Sequence, residues 1–333
     1  EFQKTYAQGS GGVFSTTSGT SWGPKISELP NDATYGGNTD NEYTQKFGKQ
    51  QGKYYVPQRA AAGLDPWATP QAYDNAKDFF DTGITWSNSL NVAQMLDKSS
   101  YSISLGNTHQ DGIISSTGMD RYNVKVSADT KLTNNWSSGF TANYITTSID
   151  KAVTSGNGLL RTVYAAPPSY DLAGIPSHVD GNPYTQNSFR GSFDNAYWAM
   201  ENNKFTEDTN RFFGNVYASY QTDFGTTNHK LNAKYMVGVD AYTTHYVDSY
   251  GYGSNTGGGR GQIENYGWTN ATYNSLLTIN YDWHINEDWG LNAVVGNEII
   301  QSNRKKYYEY GTNYNFPGWN HINNATTQQT EEE

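Results

Sequence analysis

Two consecutive stretches between residues 120 and 149 alternate apolar with small polar side chains. Val124, Val126 and Ala128 fall on one phase, with Asn123, Lys125, Ser127 and Asp129 on the other. Successive side chains of a strand leave opposite faces, so this reads as a strand with one apolar and one wet face. After Thr133, Asn134 and Asn135 the code repeats, with Trp136, Phe140, Ala142 and Tyr144 set against Ser137, Gly139, Thr141 and Asn143. It returns twice more. Leu231, Ala233, Tyr235, Val237, Val239 and Ala241 alternate with Asn232, Lys234, Met236, Gly238 and Asp240, and Tyr273, Leu277, Ile279, Tyr281 and Trp283 with Asn274, Thr278, Asn280 and Asp282. The pattern predicts strands over 79–92, 99–109, 120–132, 136–149, 210–224, 229–248, 269–284 and 288–309.

The connections between these strands fall into two alternating classes. Short ones lie at Leu96 to Ser99, Thr133 to Asn135, Asp223 to Asn228 and His284 to Asp288, and long ones near 110–119, 150–209 and 249–268. A long structureless loop is unusual in a compact soluble domain. Outer-membrane barrels, by contrast, combine short periplasmic turns with long extracellular loops. Trp136, Phe224, Trp283 and Trp289 flank the short turns, where an interfacial aromatic belt belongs. The fold class predicted is therefore all-β: a transmembrane, antiparallel, up-and-down β-barrel segment. Residues 1–78, rich in Gly, Pro, Ser and Asn, are expected to be a loop-rich N-terminal barrel region with one strand near Gly12 to Ser18, and 79–333 to carry the barrel strands.

Composition agrees. Only 35% of the 333 residues are hydrophobic and 16% charged, yet 15% are aromatic, including 27 Tyr. Disorder calls for few aromatics, whereas a polar interior, an apolar outer band and aromatic girdles call for this balance. A net charge of -10 with no basic stripe argues against a nucleic-acid partner. The absence of cysteine removes disulfides, thiolate metal sites and a cysteine nucleophile. No apolar run reaches the roughly 20 residues of a membrane helix, so a spanning form must be a closed barrel. There is no signal peptide and no initiating Met, which reads as a mature or partial chain.

Three stretches resemble the SusC/RagA family of TonB-dependent outer-membrane transporters of Bacteroidota. They are Tyr6-Ala7-Gln8-Gly9-Ser10-Gly11-Gly12-Val13-Phe14 with Ser21-Trp22-Gly23-Pro24-Lys25; Asn75-Ala76-Lys77-Asp78-Phe79-Phe80-Asp81-Thr82-Gly83; and Asp111-Gly112-Ile113-Ile114 followed by Gly118-Met119-Asp120-Arg121-Tyr122-Asn123. The resemblance implies a plugged barrel of about 22 strands. It also implies a SusD-like surface lipoprotein as lid, energy from a TonB-ExbB-ExbD complex, outer-membrane lipid around the wall, and an oligosaccharide or oligopeptide as cargo. The sequence shows no plug and no TonB-interacting segment. The chain therefore resembles the first part of such a barrel.

Candidate chemistry is sparse, and no enzyme activity and no cofactor are expected. His109, His178, His229, His245, His284 and His321 have no metal-ligand spacing, and the acids at Asp40/Glu42, Glu207/Asp208 and Glu287/Asp288 sit in turns or loops with no evident pocket. The Gly257 to Gly261 run reads as a loop tip rather than an anion nest. The segment 150–209 is the candidate ligand-binding region, through Tyr170, Tyr184, Asn187, Arg190, Tyr197 and Trp198: rings to stack on, with amide and guanidinium groups beside them. Lys125, Asn143, Asn232, Lys234, Asp240 and Asn280 are expected to face the lumen, with Lys125 and Lys234 laddering to Asp129 and Asp240. A surface glycan-binding protein or adhesin, with strands of five or six residues, and a passive porin are the competing readings.

Overall fold

Residues 2–153 and 158–333 are described by a computed structural model. Nine strands form one antiparallel sheet: β1 (Thr85–Met95), β2 (Ser99–Asp111), β3 (Gly118–Lys131), β4 (Trp136–Lys151), β5 (Lys204–Thr222), β6 (His229–Tyr250), β7 (Gln262–His284), β8 (Gly290–Tyr314) and β9 (Ala325–Glu332). Spatial order equals chain order throughout, the up-and-down meander of a barrel wall. Among the described residues β1 and β9 remain the two edges.

Directly opposed residues share a face, and the register sorts the chain cleanly. One row runs Asn91, Ser104, Lys125, Asn143, Phe213, Asp240, Thr272 and Ser302. The row one step along, on the other face, runs Val92, Ile103, Val126, Ala142, Gly214, Val239, Tyr273 and Gln301. Among the described residues no protein layer covers the apolar face: Leu90, Val92, Ile103, Val124, Phe140, Val216, Val237 and Ile299 are all exposed. A water-soluble sheet buries such a face on a second layer.

All eight predicted strands form, with differences at their ends. The first begins at Thr85 rather than residue 79, because Asn75–Phe79 makes a short helix, α3, instead. The predicted 110–119 loop shrinks to 112–117, since pairing continues to Asp111 opposite Gly118 and Thr117 Oγ1 closes the turn on the Ile114 carbonyl at 2.6 Å. The 249–268 loop contracts to 251–261 as β6 and β7 extend beyond it. The strand β9 is additional. Short turns at 96–98, 132–135, 223–228 and 285–289 occupy one end of the sheet; 112–117, 152–203, 251–261 and 315–324 occupy the other.

Residues before β1 add no strand to this sheet. They carry α1 (Glu42–Phe47), α2 (Pro57–Ala61) and two ribbons, of which Gly9–Ser10 with Val13–Phe14 stands beside the strand expected near Gly12 to Ser18. Their apolar side chains, Ala7, Ile26, Leu29, Tyr54, Val56 and Phe79, pack with Leu159 and Val163 of α4 (Leu159–Ala165), with Leu172, Ile175 and Phe189, and with Ala196 of α5 (Ala196–Asn202). This cap sits at the long-loop end. Phe80 bridges to Ile114 of the 112–117 turn, and α5 runs directly into β5.

Candidate functional site

The helices of the cap have five to seven residues, too short to stand alone in water. Tertiary contacts hold them. Asn195 caps α5 by accepting from the Tyr197 and Trp198 amides, and its Nδ2 donates to the Asn187 carbonyl at 2.8 Å. Asn75, at the start of α3, is buried, and joins the two halves of the cap. Its Nδ2 donates to the carbonyls of Pro167 and Tyr170, both at 3.0 Å, and its Oδ1 accepts from the Leu172 amide.

Four of the six predicted ligand residues serve this packing. Trp198 is wholly buried with Nε1 donating to the Pro183 carbonyl at 2.8 Å. Tyr170 lies against Phe189 with ring centroids 5.5 Å apart, and burial holds its phenol well above the ordinary tyrosine range. Asn187 Nδ2 donates to the carbonyls of Gln58 and Pro176. Arg190 lays its guanidinium 3.8 Å from the Phe193 ring centroid, and burial together with neighbouring Arg161 lowers its pKa. These side chains are inside the cap and take part in its packing: the aromatic and amide types that suit a sugar also suit a small core made from loops. Tyr184 and Tyr197 are part-exposed. Tyr197 packs edge-on against Phe79 and its hydroxyl donates to the Asp78 carbonyl at 3.3 Å. Tyr184 borders a surface cleft with Asn202, Asn203, Tyr252 and Asn320.

Lys125, Asn143, Asn232, Lys234, Asp240 and Asn280 all lie on the polar face. The expected lysine–aspartate ladders do not form. Asp240 takes both Nε and Nη2 of Arg211, at 2.8 and 2.6 Å, because Arg211 lies diagonally across on β5. Asp129 accepts from the Tyr217 hydroxyl at 2.6 Å, and Lys234 sits 4.1 Å from the centroid of that same ring. Gly139 makes the Tyr217 contact geometrically possible. It stands between Asp129 and Tyr217 in register, and a Cβ there would lie 2.8 Å from the ring.

Beneath the cap the polar face carries a set of aromatic rings that alternation alone does not mark. Tyr246 and Tyr266 stack across β6 and β7 at 4.8 Å and 6°, Trp268 adjoins them at 5.4 Å, and Arg304 of β8 covers Trp268 at 4.9 Å. Lys151 closes the other side of Tyr246 at 4.6 Å and reaches Glu207 at 3.4 Å. The legible signal was their phase: Tyr242, Tyr246, Tyr266 and Trp268 occupy positions where polar residues are due. Among the described residues no three His, Asp or Glu side chains converge as metal ligands. No described helix is long and apolar enough to cross a membrane, a statement silent on strands.

No family model and no curated protein matches the chain. Solved structures do. The RagAB peptide importer in its closed-closed state aligns over 79% of this chain and 30% of that one, at a TM-score of 0.62 and 15% identity. The open-open state gives the same coverage and score at 14% identity, and the RagAB peptide transporter 78%, 30%, 0.60 and 15%. Over the aligned residues the fold is that of part of those chains' β-barrel. At such identity the likeness speaks for fold alone, and this chain spans 30% of the importer chains it matches. Within those limits the candidate site is the polar face of the sheet together with the cap at its long-loop end.

Proposed function

We propose that this chain is wall and outer cap of a nutrient importer of the SusC/RagA, TonB-dependent type, seated in the outer membrane of a Gram-negative, Bacteroidota-like cell. The observation that carries the reading is the division of the sheet into an uncovered apolar face and a polar face, with every long connection at one end. On β6 the apolar positions run from Leu231 to Ala241. Roughly ten steps of about 3.4 Å, tilted by about 40°, give an apolar band about 25 Å tall, the height of an outer-membrane barrel's lipid-facing zone. The polar face lines the passage, including Lys125, Asn143, Asn232, Lys234, Asp240 and Asn280. Further strands and a plug complete it. Cargo passes without chemical change, and the chain has no enzymatic role.

The cargo is an oligopeptide or an oligosaccharide, taken up under a SusD-like lipoprotein lid with energy from a TonB-ExbB-ExbD complex; the solved structures that share the fold carry peptide, so peptide is tested first. An adhesin built from five- or six-residue strands does not accommodate eight strands of 11–25 residues with the long loops segregated to one end. A passive porin differs in its energy requirement. Cells bearing the full-length protein are to be given a fluorescein-labelled oligopeptide mixture or a labelled dextrin mixture, with and without a protonophore. Peptide uptake abolished by the protonophore supports energised import. Uptake that persists supports a porin, and a protein that fractionates as soluble removes the reading altogether.

A further inference from the structure

We infer that the 251–261 connection is a strap latched to the cap by the Asp194 carboxylate, and that releasing the latch opens the cleft at the junction of cap and sheet. Asp194 Oδ1 accepts from Gln186 Nε2 at 2.8 Å, from the Asn255 amide at 2.7 Å and from Asn255 Nδ2 at 2.9 Å; Oδ2 accepts from Ser254 Oγ at 2.6 Å. Three of these four donors belong to the strap. The fourth, Gln186, also donates to the Gly253 carbonyl at 2.9 Å. Meanwhile the backbone carbonyl of Asp194 accepts from Thr162 Oγ1 of α4 at 3.0 Å. One residue is thus tied into the cap by its main chain and into the strap by its side chain.

Hydrogen bonds to a carboxylate are about twice as strong as neutral ones, so their loss is felt at the strap before elsewhere. The strap closes on itself, and its ends are held as well, by the Gly251 amide donating to Asn203 Oδ1 at 2.8 Å and Arg260 Nη2 to the Tyr314 carbonyl at 3.1 Å. Gly253 and Gly259 bond to each other and Gly259 to Ser254, closing a small loop, while Gly253, Gly257, Gly258, Gly259 and Gly261 all hold positive φ. Ser254 is fully buried at the latch. The cleft beside it, about 450 Å³, is lined by Asp194 together with Met200, Glu201, Lys204, Phe205 and Tyr250. Tyr250 ends β6, immediately before the strap. Asp194 and Asn203, which hold the strap through Ser254, Asn255 and the Gly251 amide, are therefore in the cleft's wall, while the strap lies outside its lining. That the cleft faces the outside rests on the import reading; the latch does not.

The chain has no cysteine, so Met200→Cys places one thiol in the cleft. In detergent-solubilised full-length protein, with any cysteine elsewhere replaced by serine, the thiol is to be reacted with a maleimide and the amides followed by hydrogen exchange. Asp194→Ala is expected to raise both the labelling rate and exchange over 251–261 by about tenfold or more, while amides of α4 and α5 keep their protection. Asn255→Ala, which removes one donor from an exposed side chain, gives an intermediate rise and serves if Asp194→Ala does not fold. Unchanged labelling in either variant overturns the proposal. So does loss of protection in α4 and α5 together with the strap, since Asp194 would then be a staple of the cap. Neither result bears on protonophore-sensitive uptake, which tests import separately.

Discussion

Arginine placed on the apolar face of β6 should be costly in proportion to its depth in the lipid. Val237 is 42% exposed and lies within one residue of the midpoint of the Leu231 to Ala241 run. Val237→Arg therefore puts a guanidinium near the bilayer centre, where the cost is about 2–4 kcal/mol. Thr243, on the same face of the same strand, is six residues further on. That is about 20 Å along the strand and, with the tilt, about 15 Å in depth, beyond the half-height of the band. Thr243→Arg should cost only about 0–1 kcal/mol. Met236→Arg, on the polar face at mid-depth, should change stability by about 1 kcal/mol or less. Denaturant unfolding of the full-length protein from phospholipid vesicles measures all three. Equal costs at 236 and 237, or at 237 and 243, would refute the assignment of faces or of depth.

Gly139→Val forces Tyr217 off the strand surface and leaves Asp129 without its phenol donor; about 2–3 kcal/mol of destabilisation is expected in the same assay, with Tyr217→Phe losing about 1. Trp198→Ala empties the centre of the α5 packing and should cost the cap about 3–5 kcal/mol, read as protease sensitivity in 158–203 with the strands intact, whereas Tyr184→Ala should leave the cap's resistance unchanged. Burial, then Glu42, pushes the Tyr43 phenol up from 10.0 to about 12, and burial drives Tyr54 and Tyr170 higher still. A pKa raised by folding means stability that is complete below pH 10 and lost as pH climbs through the folded value. Tyrosinate absorbance from these phenols should therefore appear together with cap opening at about pH 12, and ionisation near pH 10 in an intact cap would contradict their burial.

The strands were legible wherever one face is apolar and the other polar. The clean alternation of β3, β4 and β6 is that division written in the sequence. Towards the long-loop end apolar and aromatic residues fall on both phases, as with Ile263, Tyr266 and Trp268 of β7, and the code fades. This is why the beginnings of β5 and β7 were read as loop, and why β9, with its Thr-Thr-Gln-Gln-Thr-Glu-Glu run, was missed. β9 pairs with Tyr307–Tyr314, the upper part of β8, where no apolar phase is needed. The cap was illegible for another reason. Its helices are shorter than two turns, so periodicity has no room to show, and its core is assembled from residues far apart in sequence, as in Asn75 meeting Pro167, Tyr170 and Leu172. Tyr170 and Trp198 of the 150–209 segment were legible as important, but their burial in the cap was not.

The central claim is that one face of the sheet meets hydrocarbon and the other meets water. Single nitroxide labels at successive positions from 231 to 241 of β6, in the full-length protein reconstituted in lipid, test it most directly. Odd positions should collide with dissolved oxygen and even positions with an aqueous nickel chelate, alternating at every residue. Equal access of the chelate to both sets would contradict the account.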